Sequence, residues 1–187
     1  DRILENQQRW EDLTDILQRR LDATYDEDLL VDLHFRLAEV FQNQIGDVRR
    51  AVDAYRDLLD IRPMHQGALE ALEQIHRSRE EWQELFDVLE QQADLAKSGD
   101  VQADRYAQMA TLAEEMLDRP HDAVDLWNQV LDLKPDDRDA MQELGRLYEQ
   151  QERWHDLVSL LERELELVEN QSEEALELHH MLGTVWM

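Results

Sequence analysis

The chain has no cysteine, three prolines and five glycines in 187 residues, and only 19 lysines and arginines against 45 aspartates and glutamates. Without cysteine there is no disulfide, no thiolate metal site and no thiol nucleophile; cysteine-free chains occur in every compartment, so localisation stays open. Gly and Pro are too scarce to turn a many-stranded β fold. No apolar stretch approaches the roughly 18–20 residues of a membrane-spanning helix, so no membrane insertion is expected, and no secretory apolar segment is visible at the start. The shortage of cations leaves a formal net charge of −26. Such a chain repels a phosphate backbone, which disfavours nucleic acid and anionic membranes as partners.

Catalytic signatures are missing as well. There is no His-Glu-x-x-His, no glycine-rich phosphate loop, no Gly-x-Ser-x-Gly and no EF-hand loop, so no enzymatic activity and no cofactor are expected. Asp132 to Asp139 is acidic but lacks the central Gly and final Glu that calcium geometry needs. The nearest approach to a metal site is Glu173, Glu177 and His180 with His179, where Glu177 and His180 share a helix face. Among seven histidines and 45 carboxylates such a group arises by chance, and it reads as a solvated helix end.

What the sequence does have is Leu, Glu, Gln, Arg and Ala in quantity, residues that lose little rotamer freedom in a helix. It also repeats itself. Trp10-Glu11-Asp12-Leu13, Trp82-Gln83-Glu84-Leu85 and Trp154-His155-Asp156-Leu157 stand 72 residues apart, each followed four residues later by Leu17, Leu89 or Leu161. Ala51-Val52-Asp53 with Leu59-Asp60 and Pro63 returns 72 residues later as Ala123-Val124-Asp125 with Leu131-Asp132 and Pro135. Self-similarity over tens of residues marks a solenoid, whose units each carry an apolar face that only a neighbour can bury. The spacing therefore predicts two units of about 36 residues per period. Helices are predicted near 10–23, 27–43, 47–61, 65–78, 82–97, 101–118, 121–133, 137–150, 154–169 and 173–186, with a helix tail before residue 8.

Within this pattern Leu144-Gly145 with Tyr148 and Trp154 resembles the tetratricopeptide repeat, a helix-turn-helix of 34 residues with a Leu-Gly-x2-Tyr core. Ala51 with Tyr55 and Pro63, and Ala123 with Trp127 and Pro135, resemble its Ala-x3-aromatic and closing Pro. The pattern is irregular: helix A near Leu37-Ala38 and Met109-Ala110 sits one residue further from helix B than in the family, and Leu85 and Leu157 replace its small alanine. The resemblance implies an all-α, right-handed superhelical solenoid of antiparallel helix pairs, about five hairpins. Residues 1–187 then form a single tetratricopeptide-like array, and the opening Asp1-Arg2-Ile3, without an initiator Met, suggests a fragment of a longer chain.

Packing consumes most of the readable residues. Trp10, Trp82, Trp127 and Trp154 are expected in the core, as are His34 and His76 by their repeat positions, and a side chain larger than Ala38, Ala51, Ala110, Ala123 or Gly145 is expected to widen the helix crossing.

The family resemblance also implies a non-catalytic protein-interaction scaffold whose A helices line a concave groove. Counting from the small position of each A helix places Asp32, Phe35 and Glu39, then Glu70, then Asp104, Thr111 and Glu115, then Asp139, Arg146 and Glu149 on that surface. It is mainly acidic. The Lys, Arg and Asn set with which some family members clamp an acidic chain end is not matched, because Asn43, Arg77 and Arg146 stand isolated. The expected partner is another protein or peptide, basic or amphipathic. Acids such as Asp53, Glu84 and Glu166 coat the other faces too, so solubility alone would also explain them. Two alternatives stay open: a structural array that self-assembles through uncapped repeat ends bearing Val185, Trp186 and Met187, and a docking or regulatory arm of an enzyme whose catalytic domain lies elsewhere.

Overall fold

A computed structural model describes residues 2–167 and 173–185. Among these every regular element is helical: α1 Arg2–Asn6, α2 Trp10–Asp22, α3 Glu27–Val40, α4 Val48–Ile61, α5 Gln66–Ser78, α6 Trp82–Asp94, α7 Gly99–Glu115, α8 Pro120–Leu133, α9 Arg138–Gln150, α10 Trp154–Leu167 and α11 Glu173–Val185. A π-helical turn, Phe41–Ile45, continues α3. The predicted helices are all present, including the tail before residue 8. Odd-numbered helices are A helices and even-numbered ones B helices. The chain divides into two compact units, Asp1–Val88 and Leu89–Met187.

Helix starts follow local chemistry. Asp26 accepts from the Asp28 and Leu29 amides, Asp47 from Arg50, Ser98 from Val101 and Asp137 from Ala140, while α8 opens on Pro120. Each side chain satisfies an amide that the first turn leaves without an intrahelical acceptor. Arg62-Pro63 and Lys134-Pro135 stop α4 and α8, because proline disfavours helical backbone in the residue before it. Just past these stops, Arg62 pairs with Asp28 in the first turn of α3 and Lys134 with Asp104 in the second turn of α7, 2.8 Å away; in both cases a cation holds the end of a B helix to the start of the A helix before it.

The turns from A to B helices divide the expected units of about 36 residues unequally. The left-handed residues among those described are Gln8, Gly46, Glu80, Asp118 and Glu152, with φ between 55° and 80°, and each sits at such a turn. Their spacing alternates between 38 and 34 residues. The short unit has the family length, and the long one inserts four residues, about one helical turn, into its A helix. α5 and α9 span 13 residues each, whereas α7 spans 17 and α3 runs on through the π turn.

At three of these turns the amide after the left-handed residue bonds five residues back, Arg9 to Leu4, Glu81 to His76 and Arg153 to Tyr148, while the left-handed residue itself bonds three back. This double closure satisfies helix-end carbonyls and favours glycine at the left-handed position. Gln8, Glu80 and Glu152 therefore carry backbone strain of about 1 kcal/mol or more. Glu152→Gly is expected to stabilise the chain by about 0.5–1 kcal/mol after glycine's greater unfolded-state entropy is offset. Gly46→Ala is expected to cost about 1 kcal/mol although nothing lies within 4 Å of the added carbon, because the penalty is in φ alone. Urea midpoints of the two variants should move in opposite directions.

The first unit is centred on Leu13, Leu17, Ala38, Ala51, Tyr55 and Leu58, and the second on Ala110, Ala113, Ala123, Val124, Leu144 and Leu147, all nearly inaccessible. Small residues lie where A and B helices cross, letting the backbones approach. The tryptophan expectation needs correcting. Trp127, in the middle of α8, is core, but Trp10 and Trp82 are only partly covered and Trp154 is 48% exposed. These three are the first residues of their helices, where fewer neighbouring turns surround a side chain than in mid-helix. Trp186 and the side chains of Val185 and Met187 lie outside the described residues.

Candidate functional site

Each unit contains a cleft of about 400 Å³ enclosed by an A helix, the following B helix and the next A helix. The first lies among α1, α2 and α3 with its π turn, lined by Glu5, Trp10, Arg36, Glu39, Asn43 and Gln44. It is a polar niche. Arg36 is ion-paired to Glu5, and the Tyr55 hydroxyl behind Glu39 donates to Gln42 at 2.9 Å. Burial, helped by the Glu39 charge, pushes the Tyr55 hydroxyl up to about 12, so it remains a donor.

The second cleft lies among α9, α10 and α11. Met141, Leu157, Leu160 and Leu161 form its floor and Met181 of α11 closes one side. Gly145 belongs to the lining, and a Cβ built there would meet Leu160 and Leu157 at 3.8 and 3.9 Å, ordinary contact distances. Contrary to the expectation for this position, Gly145 has room for a methyl group. The rim carries Arg138, Arg146, Glu149 and Glu164. Arg146 donates to Glu114 on α7 at 2.6 and 2.7 Å and to Glu143 at 2.7 and 2.9 Å, and these two carboxylates raise its already high pKa.

The ten residues expected on the A-helix surface are distributed unevenly. Glu39 lines the first cleft, and the second brings Arg146 and Glu149 together. Asp32, Glu70, Asp104, Thr111, Glu115 and Asp139 are exposed on their A helices but line neither cleft. Asp104 is paired with Lys134, Glu70 accepts from Gln66, and the Thr111 hydroxyl donates to the Ala107 carbonyl. Phe35 is half-buried, edge-on to Tyr55 at 5.8 Å and tilted against His65 at 5.0 Å, so it packs α3 against α4 and the start of α5. Sequence reasoning missed the apolar floor of the second cleft, since Leu157 read only as a replacement for the family's small alanine. It also missed Glu5, which stands two periods before Glu149 and occupies the matching place in the first cleft.

The two histidines assigned to packing behave so. His76 is inaccessible with Nδ1 2.7 Å from Glu81, and His34 is largely covered, its pKa lowered by burial against an opposing pull from Asp57. Glu177, His179 and His180 are exposed, and the Glu173 side chain lies outside the described residues.

Tetratricopeptide repeat models match residues 32–63, 68–100 and 140–175, together more than half of the sequence. The chain belongs to the tetratricopeptide repeat family. Its paired A and B helices are a tetratricopeptide-type solenoid, a class whose stacked repeats serve as protein-interaction scaffolds. Solved structures of similar fold include MamA of AMB-1, Pseudomonas aeruginosa pilF and YrrB. MamA of AMB-1 is 18% identical with a TM-score of 0.49, the match covering 93% of this chain and 91% of MamA. Pseudomonas aeruginosa pilF is 15% identical with a TM-score of 0.48, covering 98% and 79%. YrrB, a TPR protein with an unusual peptide-binding site, is 15% identical with a TM-score of 0.47, covering 90% and 91%. A comparison with curated proteins finds no match.

Proposed function

We propose that this tetratricopeptide repeat chain binds a basic or amphipathic polypeptide through the faces of its A helices, each unit contributing its own carboxylates, and that binding proceeds without turnover. One contrast carries the reading. The cations of these faces are already engaged within the chain, Arg36 with Glu5, Arg77 with Glu73, Arg146 with Glu114 and Glu143. Glu39, Glu115, Asp139 and Glu149 are exposed and have no hydrogen-bonded partner among the described residues. Their field is left to act on a partner, accelerating encounter with cationic segments.

The test is capture from native lysate at low and high salt with three forms: the unaltered chain, a variant with Glu39, Glu115, Asp139 and Glu149 changed to Lys, and a control with exposed B-helix acids Asp53, Asp87, Asp125 and Glu162 changed to Lys. The expected result is a polypeptide retained by the control, lost by the A-helix variant and weakened by salt. Equal loss from both variants would reduce the acids to a general coat, and recovery of the chain alone would favour self-assembly.

A further inference from the structure

We propose that the cleft among α9, α10 and α11 is a socket for one large apolar side chain of the partner, set beside a basic residue that pairs with Glu149; this rests on the A-helix binding reading above. The floor is aliphatic, made by Leu157, Leu160 and Leu161 with Met141, while Met181 is 40% exposed at the side. A volume of about 400 Å³ lies low in the range of ligand sites, roughly 300–1,000 Å³, and suits side chains entering from a segment laid across the mouth. Two thioethers in the wall add polarizable surface that adapts to the shape of an entering group.

The rim sets the charge of the occupant. Arg146 lies between Glu114 and Glu143, which neutralise it. Glu149, one turn further along α9, is exposed and uncompensated, so a cation next to the anchor gains a partner where an anion meets repulsion. The first unit supplies a contrast. Glu5 holds the position of Glu149 there, but it is engaged by Arg36, and the walls offer Trp10, Asn43 and Gln44 instead of an aliphatic floor. The socket is thus a property of the second unit.

Three capped short peptides serve as probes: one of leucine and lysine, one of alanine and lysine, and one of leucine and glutamate. Carbon-13 methyl spectra of the methionines report location, because Met141 and Met181 line the cleft whereas Met64 and Met109 do not. The leucine–lysine peptide is expected to shift the Met141 and Met181 methyls and to bind at least about tenfold tighter than the other two. Gly145→Leu, which extends a side chain from the lining of the cleft, should fill the socket and remove both the shifts and the tenfold preference for leucine over alanine. Methyl shifts in the unaltered chain keep the test decisive if that variant misfolds. Binding with Met141 and Met181 unmoved, or no binding of this peptide, overturns the socket. If the peptide then still binds and is lost from the variant carrying four A-helix lysines, the broader A-helix reading survives; if that variant binds it equally well, the broader reading fails too.

Discussion

Leucine in place of Ala110 is expected to lower the stability of the chain by about 2–3 kcal/mol. Ala110 is wholly inaccessible on α7, in line with Ala103 and Ala113, and these methyl-sized residues face α8, whose Ala123 and Val124 are equally inaccessible. α7 and α8 make the most extensive helix–helix contact in the molecule. Three added carbons have no void to enter, so the helices must separate or the side chain leave its preferred rotamer. Gly145→Ala provides the opposite sign. Its added carbon meets Leu160 and Leu157 at 3.8 and 3.9 Å, so the helix gains alanine's propensity without a clash, and about 0.5–1 kcal/mol of stabilisation is expected. Thermal unfolding followed by far-UV circular dichroism should place Ala110→Leu roughly 4–12 °C below the unaltered chain, with Gly145→Ala a few degrees above it. An Ala110→Leu midpoint equal to that of the unaltered chain would mean that the crossing is not close-packed.

The second large effect is expected at Glu81. His76 is 2% exposed, its Nδ1 lies 2.7 Å from Glu81 Oε2, and its Nε2 is buried without a partner. Glu81→Ala would leave a buried imidazole with neither nitrogen satisfied, a loss of about 1–3 kcal/mol near neutral pH. The pH dependence follows from the carboxyl. Hydrogen bonds from Arg79 first, and then from His76, hold Glu81 below the ordinary glutamate value of 4.5. A depressed acid contributes its stabilisation in full above its unfolded-state value and loses it as pH falls through the lower folded-state value. The difference in urea stability between the unaltered chain and Glu81→Ala should therefore be largest at neutral pH and shrink below about pH 4.5. A difference that persists unchanged into acid would assign the effect to lost packing.

That pair also shows how one position is solved in two chemistries. One period after His76 and Glu81 stand Tyr148 and Arg153, where the guanidinium lies 4.8 Å above the ring and the Tyr148 hydroxyl exchanges hydrogen bonds with Asn128. In both repeats an aromatic ring at the end of the A helix is covered by the polar residue that opens the B helix. The repeat register identifies the equivalence, but the interacting atoms are visible only in three dimensions.

Helix existence, the order of A and B helices and the family were legible because apolar residues recur at helical spacing and the whole pattern recurs after 72 residues. The mean unit of about 36 residues was legible but its division was not: 72 divides into 34 and 38, and the division is marked by backbone φ at Gln8, Gly46, Glu80, Asp118 and Glu152, three of them, Gln8, Glu80 and Glu152, residues with no intrinsic preference for such a turn. The tryptophans misled because recurrence reports a repeated position and not its depth. Trp154 recurs as Trp82 and Trp10 and Trp127 as Tyr55, yet Trp154 opens a helix and stays exposed while Trp127 fills a core. Phe35 appeared on the binding face by counting along α3, while contact with Tyr55 and His65 from two other helices makes it a packing residue.

Sequence alone, then, determined what depends on separation along the chain: helical periodicity, hairpin order, family, net charge and the exposed acids of the A helices. Tertiary structure decided which of those acids remain uncompensated, that Arg146 is committed to Glu114 on another helix, and that Leu157, Leu160 and Leu161 floor an open cleft. The division has a physical cause. Helix formation is governed by residues three and four apart, whereas ion pairing, burial and clefts depend on side chains about 30 residues apart that meet only when hairpins stack.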